Sequence, residues 1–583
     1  MSALTKAKVG CWLLLLKLLL LLLLLMLLGS SHGTFHGGSM NELAGFRALK
    51  VAGQVFNGNK SHMDHFSAIH LEKNYMLVGA RNFIFNVSLH NLNEHRRISW
   101  SSNDVDTDLC LRRQKTQVDC QNYIRVIVRT GDDEFYACGT NSYKPMCRLY
   151  KVIPPKKHAI LIDEESGTAK APFDRRQNST AAYHNGRLYS ATVADVTGRD
   201  ALIFSKPLRT EHHDSKWLND PSFVSSFSYG DRIYFFFRET AVENINCGKV
   251  VFSRVARVCA NDSGGQRVLR NTWTSFSKVR LNCSLPGEFP FYFDEIQSTS
   301  ELGSGSLRST IMTSEQTPMI YALFTTPRNS IRGSAVCAFR MSDIVSSFEG
   351  PYKEQRSPFH IWLPLRDAPV PHPGSFCPNS SRELPDQTLN FIKSHPLMDR
   401  AVPTFGGEPA FIHTGFDFTL TSISVDWQLE AANHRFYDVI FLGTDNGRVI
   451  KIYNKGRGLS TQTVVSEVLQ VFSESSPVLQ LKIFNSPARR HRERKLLVVS
   501  EGEIKSIFLH RCSAALTCSA CVDLKDPYCA WKDNKCSHSS HGLQNLETGH
   551  HPGCEGPSPS QEPPTATPTT AARDVATFHD GGL

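Results

Sequence analysis

The 583-residue sequence lacks a strong excess of charge of either sign. It contains 64 Lys and Arg residues against 55 Asp and Glu residues, a net charge of +9. Three of the positive charges, Lys6, Lys8 and Lys17, lie near the N-terminus, which leaves +6 for the rest of the chain. Such a small excess over so long a chain argues against a dedicated nucleic-acid-binding protein.

Motifs that mark common enzyme active sites are also missing. The sequence contains no G-x-S-x-G elbow, no P-loop and no H-E-x-x-H metal helix. The acidic pair Asp132-Asp133 predicts a solvated turn, because its two carboxylates are adjacent in sequence. The 23 histidines show no metal-ligand spacing, and His212-His213 lies in a polar loop where we expect it to be exposed. These absences argue against an enzyme.

Long apolar runs are absent except at the N-terminus. Lys6 and Lys8 precede the Leu-rich run Leu13–Leu28, and small residues follow it. This pattern predicts a secretory signal peptide over residues 1–33. The alternative is an uncleaved anchor, since the run is nearly long enough to span a bilayer, but Lys17 near its middle disfavours that reading. We expect a secreted chain, or the outer part of a protein anchored further on.

The cysteine content fits an oxidising compartment. Fifteen cysteines remain after Cys11, nine of them between residues 110 and 377 and six between residues 512 and 554. In a secreted protein they predict disulfides. Cys110–Cys120 and Cys138–Cys147 close short loops and are proposed on spacing alone. Nine is an odd number, so at least one thiol of the longer region lacks a partner there.

Glycosylation sequons also fit secretion. The weakest of the six has a cysteine as its middle residue. The six acceptors are Asn59, Asn86, Asn178, Asn261, Asn282 and Asn379.

The long region before residue 511 has the pattern of an all-β fold. Pairs of β-branched and aromatic runs are joined by turn residues, which is typical of hairpins. In the clearest, Tyr437–Tyr453, the turn contains Asn446-Gly447, a pair that suits a type I′ turn. Seven such hairpins without long amphipathic helices between them predict a β-propeller. A stack of separate sandwiches is the alternative. The other six hairpins are 75–89, 124–138, 182–193, 223–238, 319–340 and 496–509.

Three further segments stand apart from the hairpins. The stretch from 341 to 436 is too long for an ordinary connection, and we expect an insertion at 343–400 that contains a helix at Leu389–His395. Residues 512–555 carry six cysteines and predict a small disulfide-stapled module. Residues 556–583 are rich in Pro and Thr and predict a flexible stalk with the composition of an O-glycosylated segment.

Several long motifs, in this order along the chain, resemble semaphorins. CGTNSYKPMC (138–147), KWLNDPSFV (216–224), SRVARVCANDSGG (253–265), FIKSHPLMD (391–399) and YDVIFLGTDNGRV (437–449) resemble the sema domain. CSAALTCSACVDLKDPYCAW (512–531) resembles the plexin-semaphorin-integrin cysteine module. With the Pro/Thr stalk, the arrangement is most similar to the membrane-anchored invertebrate class. The resemblance implies a seven-bladed propeller over residues 46–511.

The resemblance also implies a function. A semaphorin is an extracellular guidance ligand whose propeller binds a plexin receptor and steers axon or cell movement. Plexins themselves combine a sema domain with the cysteine module, so a receptor ectodomain is the alternative, but the stalk directly after Cys554 favours a ligand. Propeller hydrolases carry repeated Ser-x-Asp-x-Gly-x-Thr-Trp boxes, and the sequence has none. No cofactor is implied.

Individual residues take roles from the resemblance. Lys393 and His395 occupy the motif position that faces the receptor in the family. A half zinc site at Cys518 and Cys521 is the weaker alternative to disulfides in an oxidising compartment. The implied disulfides are Cys259–Cys377, Cys283–Cys337, Cys512–Cys529, Cys518–Cys554 and Cys521–Cys536.

Assembly is the point where the sequence departs from the family. Semaphorins pair face to face as homodimers. Ala171 replaces a cysteine of the family's Cys-Pro-Tyr-Asp-Pro motif, and we infer that Cys247 is the thiol left unpaired by this replacement. We expect Cys247 to be buried, as a small hydrophobe, so that any dimer is non-covalent and a monomer is an open alternative.

A basic run, 489–495, precedes the last hairpin. It predicts a solvated loop. Binding to sulfated glycosaminoglycans by counterion release and proprotein cleavage at its R-x-x-R spacing are the alternatives.

Overall fold

The computed structural model describes residues 48–59, 61–153, 158–305, 318–357, 360–365, 377–455, 463–486 and 494–554. The predicted signal peptide, the Pro/Thr stalk and residues 489–493 of the basic run lie outside the described residues. Within the described ranges, none of the helices has the length and hydrophobicity of a membrane span.

Seven β-sheets form a seven-bladed propeller, as predicted. Each predicted hairpin lies in a different blade. Blade one contains Ala68–Leu71, Tyr75–Gly79, Phe83–Ser88 and Glu94–Ser99; blade two Ile124–Gly131, Glu134–Gly139, Met146–Ile153 and His158–Ser166; blade three Thr180–His184, Arg187–Val193, Ala201–Ser205 and Leu208–Arg209; blade four Ser222–Tyr229, Arg232–Thr240, Val251–Cys259 and Ser277–Arg280. Blade five contains Glu295–Thr299, Met319–Thr325, Gly333–Arg340 and Phe411–Thr414; blade six Leu420–Glu430, Phe436–Thr444, Arg448–Asn454 and Thr463–Gln470; blade seven Gln480–Asn485, Arg494–Val499 and Ile504–Phe508.

The ring is closed by the N-terminal segment. Gln54–Phe56 pairs antiparallel with Ile504–Phe508 and becomes the fourth strand of blade seven. Leu49–Lys50 pairs parallel with the outer strand of blade six. The chain therefore begins its described part on the last two blades and then enters the first.

The hydrophobic core lies between neighbouring blades. One cluster joins Phe236 of blade four to Phe324 of blade five, another joins Leu442 of blade six to Leu323 of blade five, and five more join the remaining pairs of neighbouring blades. Between blades seven and one, Phe56 contacts Phe66 and Phe85 at ring-centroid distances of 5.6 and 5.3 Å. Each blade thus needs both neighbours to bury its two faces.

One predicted turn differs in the structure. Around Asn446 only Gly447 has a positive φ, 75°, whereas a type I′ turn requires two consecutive residues with positive φ. The prediction for this turn was therefore wrong: the loop is one residue longer than a type I′ turn, with Gly447 as its single left-handed residue. The Asn185-Gly186 turn does have both residues at positive φ.

The expected insertion protrudes between the third and fourth strands of blade five. Its helix runs from Asp386 to Ser394, three residues earlier at its start than predicted, and Met341–Ser347 forms a second helix. Residues Leu397 and Val402 bridge in parallel to Lys278 and Leu281, so the insertion extends the outer edge of blade four. Its short strands are Lys353–Glu354 and Leu363–Pro364, and Ser381–Glu383 is a 3₁₀ turn. Elsewhere the chain adds the helix Asp104–Arg112, the 3₁₀ helix Val242–Cys247 and the strand pair Ser284–Leu285 and Phe291–Tyr292.

The cysteine module packs against blades six and seven. It contains the helix Cys518–Asp523, the strands Cys529–Lys532 and Lys535–His538, and the 3₁₀ turns Cys512–Ala514 and Pro552–Cys554. The fully buried Lys451 of blade six forms ion pairs with Glu467 and with Asp526 of the module. The hydroxyl of Tyr528 donates to Asp426 over 2.5 Å. A buried cation held between two carboxylates fixes the module to the propeller.

Seven disulfides join the same pairs that spacing and resemblance suggested. Cys259–Cys377 links blade four to the insertion. Among the described residues Cys247 is the free cysteine, as inferred, but the expectation that it is buried was wrong. Cys247 is exposed rather than buried, because it ends a 3₁₀ helix in the loop between two strands of blade four. Ala171, in contrast, is fully buried against Cys138 and Cys147, so the two positions belong to separate parts of the propeller.

Ring closure can be tested with Phe56→Ala. Removing this buried ring leaves a cavity between blades seven and one, and we expect the free energy of unfolding to fall by about 3–5 kcal/mol. The measurement is chemical denaturation of the ectodomain followed by tryptophan fluorescence. The adjacent Val55 is exposed, and Val55→Ala is expected to change stability by less than about 0.5 kcal/mol. Equal effects from both variants would contradict the closure argument.

Candidate functional site

The insertion helix, Asp386–Ser394, carries the residue implied to face a receptor. Leu389, Phe391 and Ile392 are buried and hold one side of the helix on the propeller. Asp386 lies in the first turn and Lys393 in the last, the arrangement that complements the helix dipole. The helix ends at Ser394 because His395 precedes Pro396, and a residue before proline disfavours the helical conformation.

The backbone of Lys393 is fixed by a hydrogen bond, whereas its charged side chain is partly exposed to solvent. Its backbone carbonyl accepts a hydrogen bond from Nε1 of Trp217, 2.9 Å away. Trp217 is fully buried and stacks on Phe276 with ring centroids 4.8 Å apart. The Lys393 ammonium lies 3.0 Å from a carboxylate oxygen of Glu211, and 48% of the lysine side chain remains exposed. The backbone position is fixed while the charge stays accessible.

His395, the second implied residue, faces the other way. Its ring stacks on Phe391 at a centroid distance of 4.3 Å, and Nδ1 lies 3.0 Å from the Phe391 carbonyl oxygen. Nε2 is 3.5 Å from Glu354, and only 13% of the side chain is exposed. His395 therefore packs the insertion together, and Lys393 is the member of the pair that a partner can reach.

A buried ion network supports the blade edge on which the insertion lies. Lys278 and Arg254 both bind Oε1 of Glu239, at 2.5 and 2.6 Å, and all three are fully buried. Arg254 also contacts Glu243 at 2.6 Å. Burial alone would raise the pKa of Glu243, but the guanidinium of Arg254 outweighs it and lowers the pKa to about 2. Burial lowers the pKa of Lys278 against the attraction of Glu239.

The network is tied to the insertion through the backbone. The amide of Lys278 donates to the Pro396 carbonyl over 2.8 Å, and the amide of Met398 donates to the Lys278 carbonyl over 2.9 Å. The segment directly after Lys393 is thereby hydrogen-bonded along the outer strand of blade four through isolated parallel bridges. Displacing it would leave the backbone groups of a buried residue without partners, which is costly.

Sequence reasoning found Lys393 but missed what surrounds it. Trp217 lies within the motif KWLNDPSFV, whose presence was a usable signal. Glu211 and the network of Glu239, Arg254 and Lys278 gave no signal, because these residues are far from the insertion in sequence and meet it only across blades three and four.

The six sequon acceptors differ in exposure. Asn178, Asn261 and Asn379 are exposed, whereas Asn59, Asn86 and Asn282 are half-buried. The Oδ1 atoms of Asn86 and Asn282 are buried without a hydrogen-bond partner. Glycosylation at all six stays a prediction.

Comparison with known proteins identifies close relatives. A family model described as "Sema domain" matches residues 301–485, and one described as "Plexin repeat" matches residues 511–556. Semaphorin-1A of Schistocerca americana is 47% identical over 524 residues, 86% of this chain and 70% of that protein. Semaphorin-1A of Drosophila melanogaster is 46% identical, and the chain spans 57% of its length. Semaphorin-6A of Homo sapiens is 38% identical, and the chain spans half of it.

Solved structures agree with these relatives. "Drosophila Semaphorin 1a, extracellular domains 1-2" superposes with a TM-score of 0.78 at 44% identity, covering 86% of this chain and 99% of that one. A chain of "Drosophila Plexin A in complex with Semaphorin 1b" gives 0.76 at 40% identity, covering 86% and 96%. The extracellular region of Plexin A4 gives 0.60 at 16% identity, which shows the shared fold alone.

The support behind Lys393 can be tested with Trp217→Phe. Loss of the indole N–H leaves the Lys393 carbonyl without its donor, and we expect the free energy of unfolding to fall by about 1–3 kcal/mol. Hydrogen exchange of the amides in Asp386–Ser394 should become faster. The matched control is Trp362→Phe, within the insertion itself, because the buried Nε1 of Trp362 has no hydrogen-bond partner to lose. Equal acceleration in both variants would argue against the anchoring role.

Proposed function

Because this chain belongs to the semaphorin family, we propose that it is an extracellular guidance ligand whose propeller binds a plexin receptor and thereby steers axon or cell migration. The observation that carries the proposal is the 40% identity, over 86% of this chain, to a chain of the solved complex of Plexin A with Semaphorin 1b. The decisive experiment is a binding screen of the purified ectodomain against the plexin ectodomains of its source organism. Absence of binding to all of them would contradict the proposal.

A ligand is favoured over a receptor by the degree of similarity. Semaphorins match at 35–47% identity, whereas the Plexin A4 ectodomain matches at 16%. Semaphorins and plexins share the propeller fold, so the degree of sequence identity is what distinguishes a ligand from a receptor here.

The central channel gives no support to an enzymatic function. Its cavity of about 630 Å³ is lined by the first strands of the blades, with Arg125, Asn178, Arg238 and Gln480 among its polar residues. Of the described residues that line it, none offers a carboxylate, an imidazole or a thiol. Carboxylates and imidazoles are the groups that enzymes use most often as general acids and bases, and without one the hydroxyls of the serines in this lining have no activating base beside them in the cavity.

We assign the receptor contact to Lys393. Exposed ion pairs contribute little to the free energy of unfolding, about 0–1 kcal/mol. Breaking the pair between the Lys393 ammonium and Glu211 therefore costs the folded protein little. A receptor carboxylate can replace Glu211 at small cost. A charge on a fixed backbone then provides orientation and specificity for the partner. His395 contributes by holding the helix terminus in place.

The assignment predicts that Lys393→Glu weakens plexin binding at least about tenfold, because the receptor's acidic group would face a like charge. Surface plasmon resonance measures the affinity, and the melting temperature should stay unchanged. The matched control is Lys151→Glu: Lys151 of blade two is 51% exposed and pairs with Glu134 at 3.5 Å. The charge swap Lys393→Glu with Glu211→Lys restores the internal pair and should still bind weakly. Full binding by the swapped protein would show that Lys393 acts only within the fold.

We further propose that two copies pair through one face of the propeller. Strands alternate in direction within each blade, so the connections between second and third strands all open on one face, together with the connections between blades. Ile331 and Phe416 lie in such connections and are 70% and 83% exposed. Arg332 donates to the Phe416 carbonyl over 3.4 Å, which places the two loops side by side. Large exposed apolar side chains next to each other indicate an interaction surface.

Pairing predicts that the ectodomain is a dimer in light scattering and that Ile331→Glu makes it a monomer, since a buried carboxylate at the interface would lack a partner. Ile361→Glu, at an equally exposed isoleucine of the insertion, is the control and should remain dimeric. A wild-type monomer would overturn the proposal. Cys247 opens on the same face, so non-reducing gels of the wild type and Cys247→Ser will show whether its thiol also links the copies.

Glycosaminoglycan binding by the basic run stays a prediction. Of its charged residues, Arg494 forms an ion pair with Asp426, and the Lys495 ammonium lies 4.9 Å from the centroid of the Phe508 ring. These two charges are engaged by the propeller. Retention on a heparin column would have to come mainly from the residues before them.

A further inference from the structure

We propose that Asp200, His212 and His213 form a binding site for a divalent transition-metal ion such as Zn²⁺ on the outer edge of blade three. Each of the three offers one ligand atom, and these atoms lie within 4.8 Å of one another. Nε2 of His212 is 3.3 Å from Oδ2 of Asp200. Two ligands of a tetrahedral ion with bonds of about 2.0–2.1 Å are about 3.3–3.5 Å apart, so this pair already has the required spacing.

The carboxylate of the site is held in place before any ion binds. Asp200 directly precedes the third strand of blade three, and its amide donates to Asp195 over 2.7 Å. Arg209, in the fourth strand, donates to both carboxylate oxygens at 2.5 and 3.1 Å. A ligand oriented by a neighbouring hydrogen-bond donor is the usual arrangement around protein-bound metals.

The two imidazoles come from the loop that leaves the fourth strand. His213 has a φ of 54°, and the two adjacent rings lie on the same side of the loop with centroids 3.7 Å apart. Both side chains are exposed, whereas Asp200 is buried. An ion bound here would have the protein on one side and water on the other, with water completing its coordination.

The ligand set decides which ions fit. Two imidazoles and one carboxylate suit Zn²⁺, Cu²⁺ or Ni²⁺, whereas Ca²⁺ and Mg²⁺ require mainly oxygen ligands. Arg209 neutralises Asp200, so the site has no net negative charge and should bind more weakly than a closed four-ligand structural site. Among the described residues one other group of three has similar spacing, His510, Cys512 and Cys529, but its two cysteines form a disulfide and offer no thiolate.

The test is calorimetric titration of the tag-free ectodomain with ZnCl₂. We expect one site whose affinity falls at least about tenfold in His212→Ala and in His213→Ala, because each removes a direct ligand. Both side chains are exposed, so the variants should melt at the wild-type temperature in the presence of a chelator. The matched control, His550→Ala with His551→Ala, removes another adjacent histidine pair that belongs to no such group of three, and it should bind like the wild type.

A second readout separates a defined site from loose surface binding. Co²⁺ in the same site should give the intense visible absorption of a low-coordinate nitrogen and oxygen environment, and Asp200→Asn should reduce it. Unchanged Zn²⁺ affinity in both histidine variants would overturn the proposal, as would loss of binding in the His550/His551 control. Neither measurement involves the receptor, so failure of the plexin proposal would leave this one standing.

Discussion

Closure of the ring is the constraint on which the rest of the structure depends. The apolar clusters lie between blades rather than within them, so an open end would expose one face of blade one and one of blade seven. Gln54–Phe56 prevents this by pairing with the last strand of the ring, and Phe56 packs directly against blade one. A strand pair separated by most of the chain must therefore form before the inter-blade contacts are complete, and such non-local pairing is slow to form.

The candidate receptor site follows from the closed ring. Lys393 is positioned by Trp217 of the connection between blades three and four and by the outer strand of blade four. The strand is stabilised by charges buried beneath it, where Glu239 holds both Arg254 and Lys278. Removing one member of such a network leaves an uncompensated buried charge and costs far more than losing an exposed pair. Rigidity thus comes from the buried pairs, and accessibility comes from the exposed pair of Lys393.

Sequence patterns predicted the parts of this protein whose signal is local. The seven hairpins, the insertion helix and the two short-loop disulfides each depend on residues close together in the chain. The closing strand Gln54–Phe56 is three residues long and shows no alternation that a pattern can detect. The exposure of Cys247 depends on how a loop packs, and a loop has no periodic pattern of apolar residues from which burial can be predicted. Asp200 and His212 lie close together only because the short strand Leu208–Arg209 between them folds back along the third strand of blade three.

The two proposed protein contacts occupy different parts of the propeller, and this separation has a consequence. Lys393 lies at the outer edge, in the insertion helix just before the segment that bridges to blade four, whereas Ile331 and Phe416 open on one face of blade five and its connection to blade six. A pair formed through that face leaves both outer edges uncovered. Each copy could then bind a receptor at the same time, and two receptors held by one rigid pair gain avidity from geometry without any new contact. The closed ring supplies the rigidity that this requires. A blade that moved independently would let the receptor site at the outer edge shift relative to the pairing surface on the face.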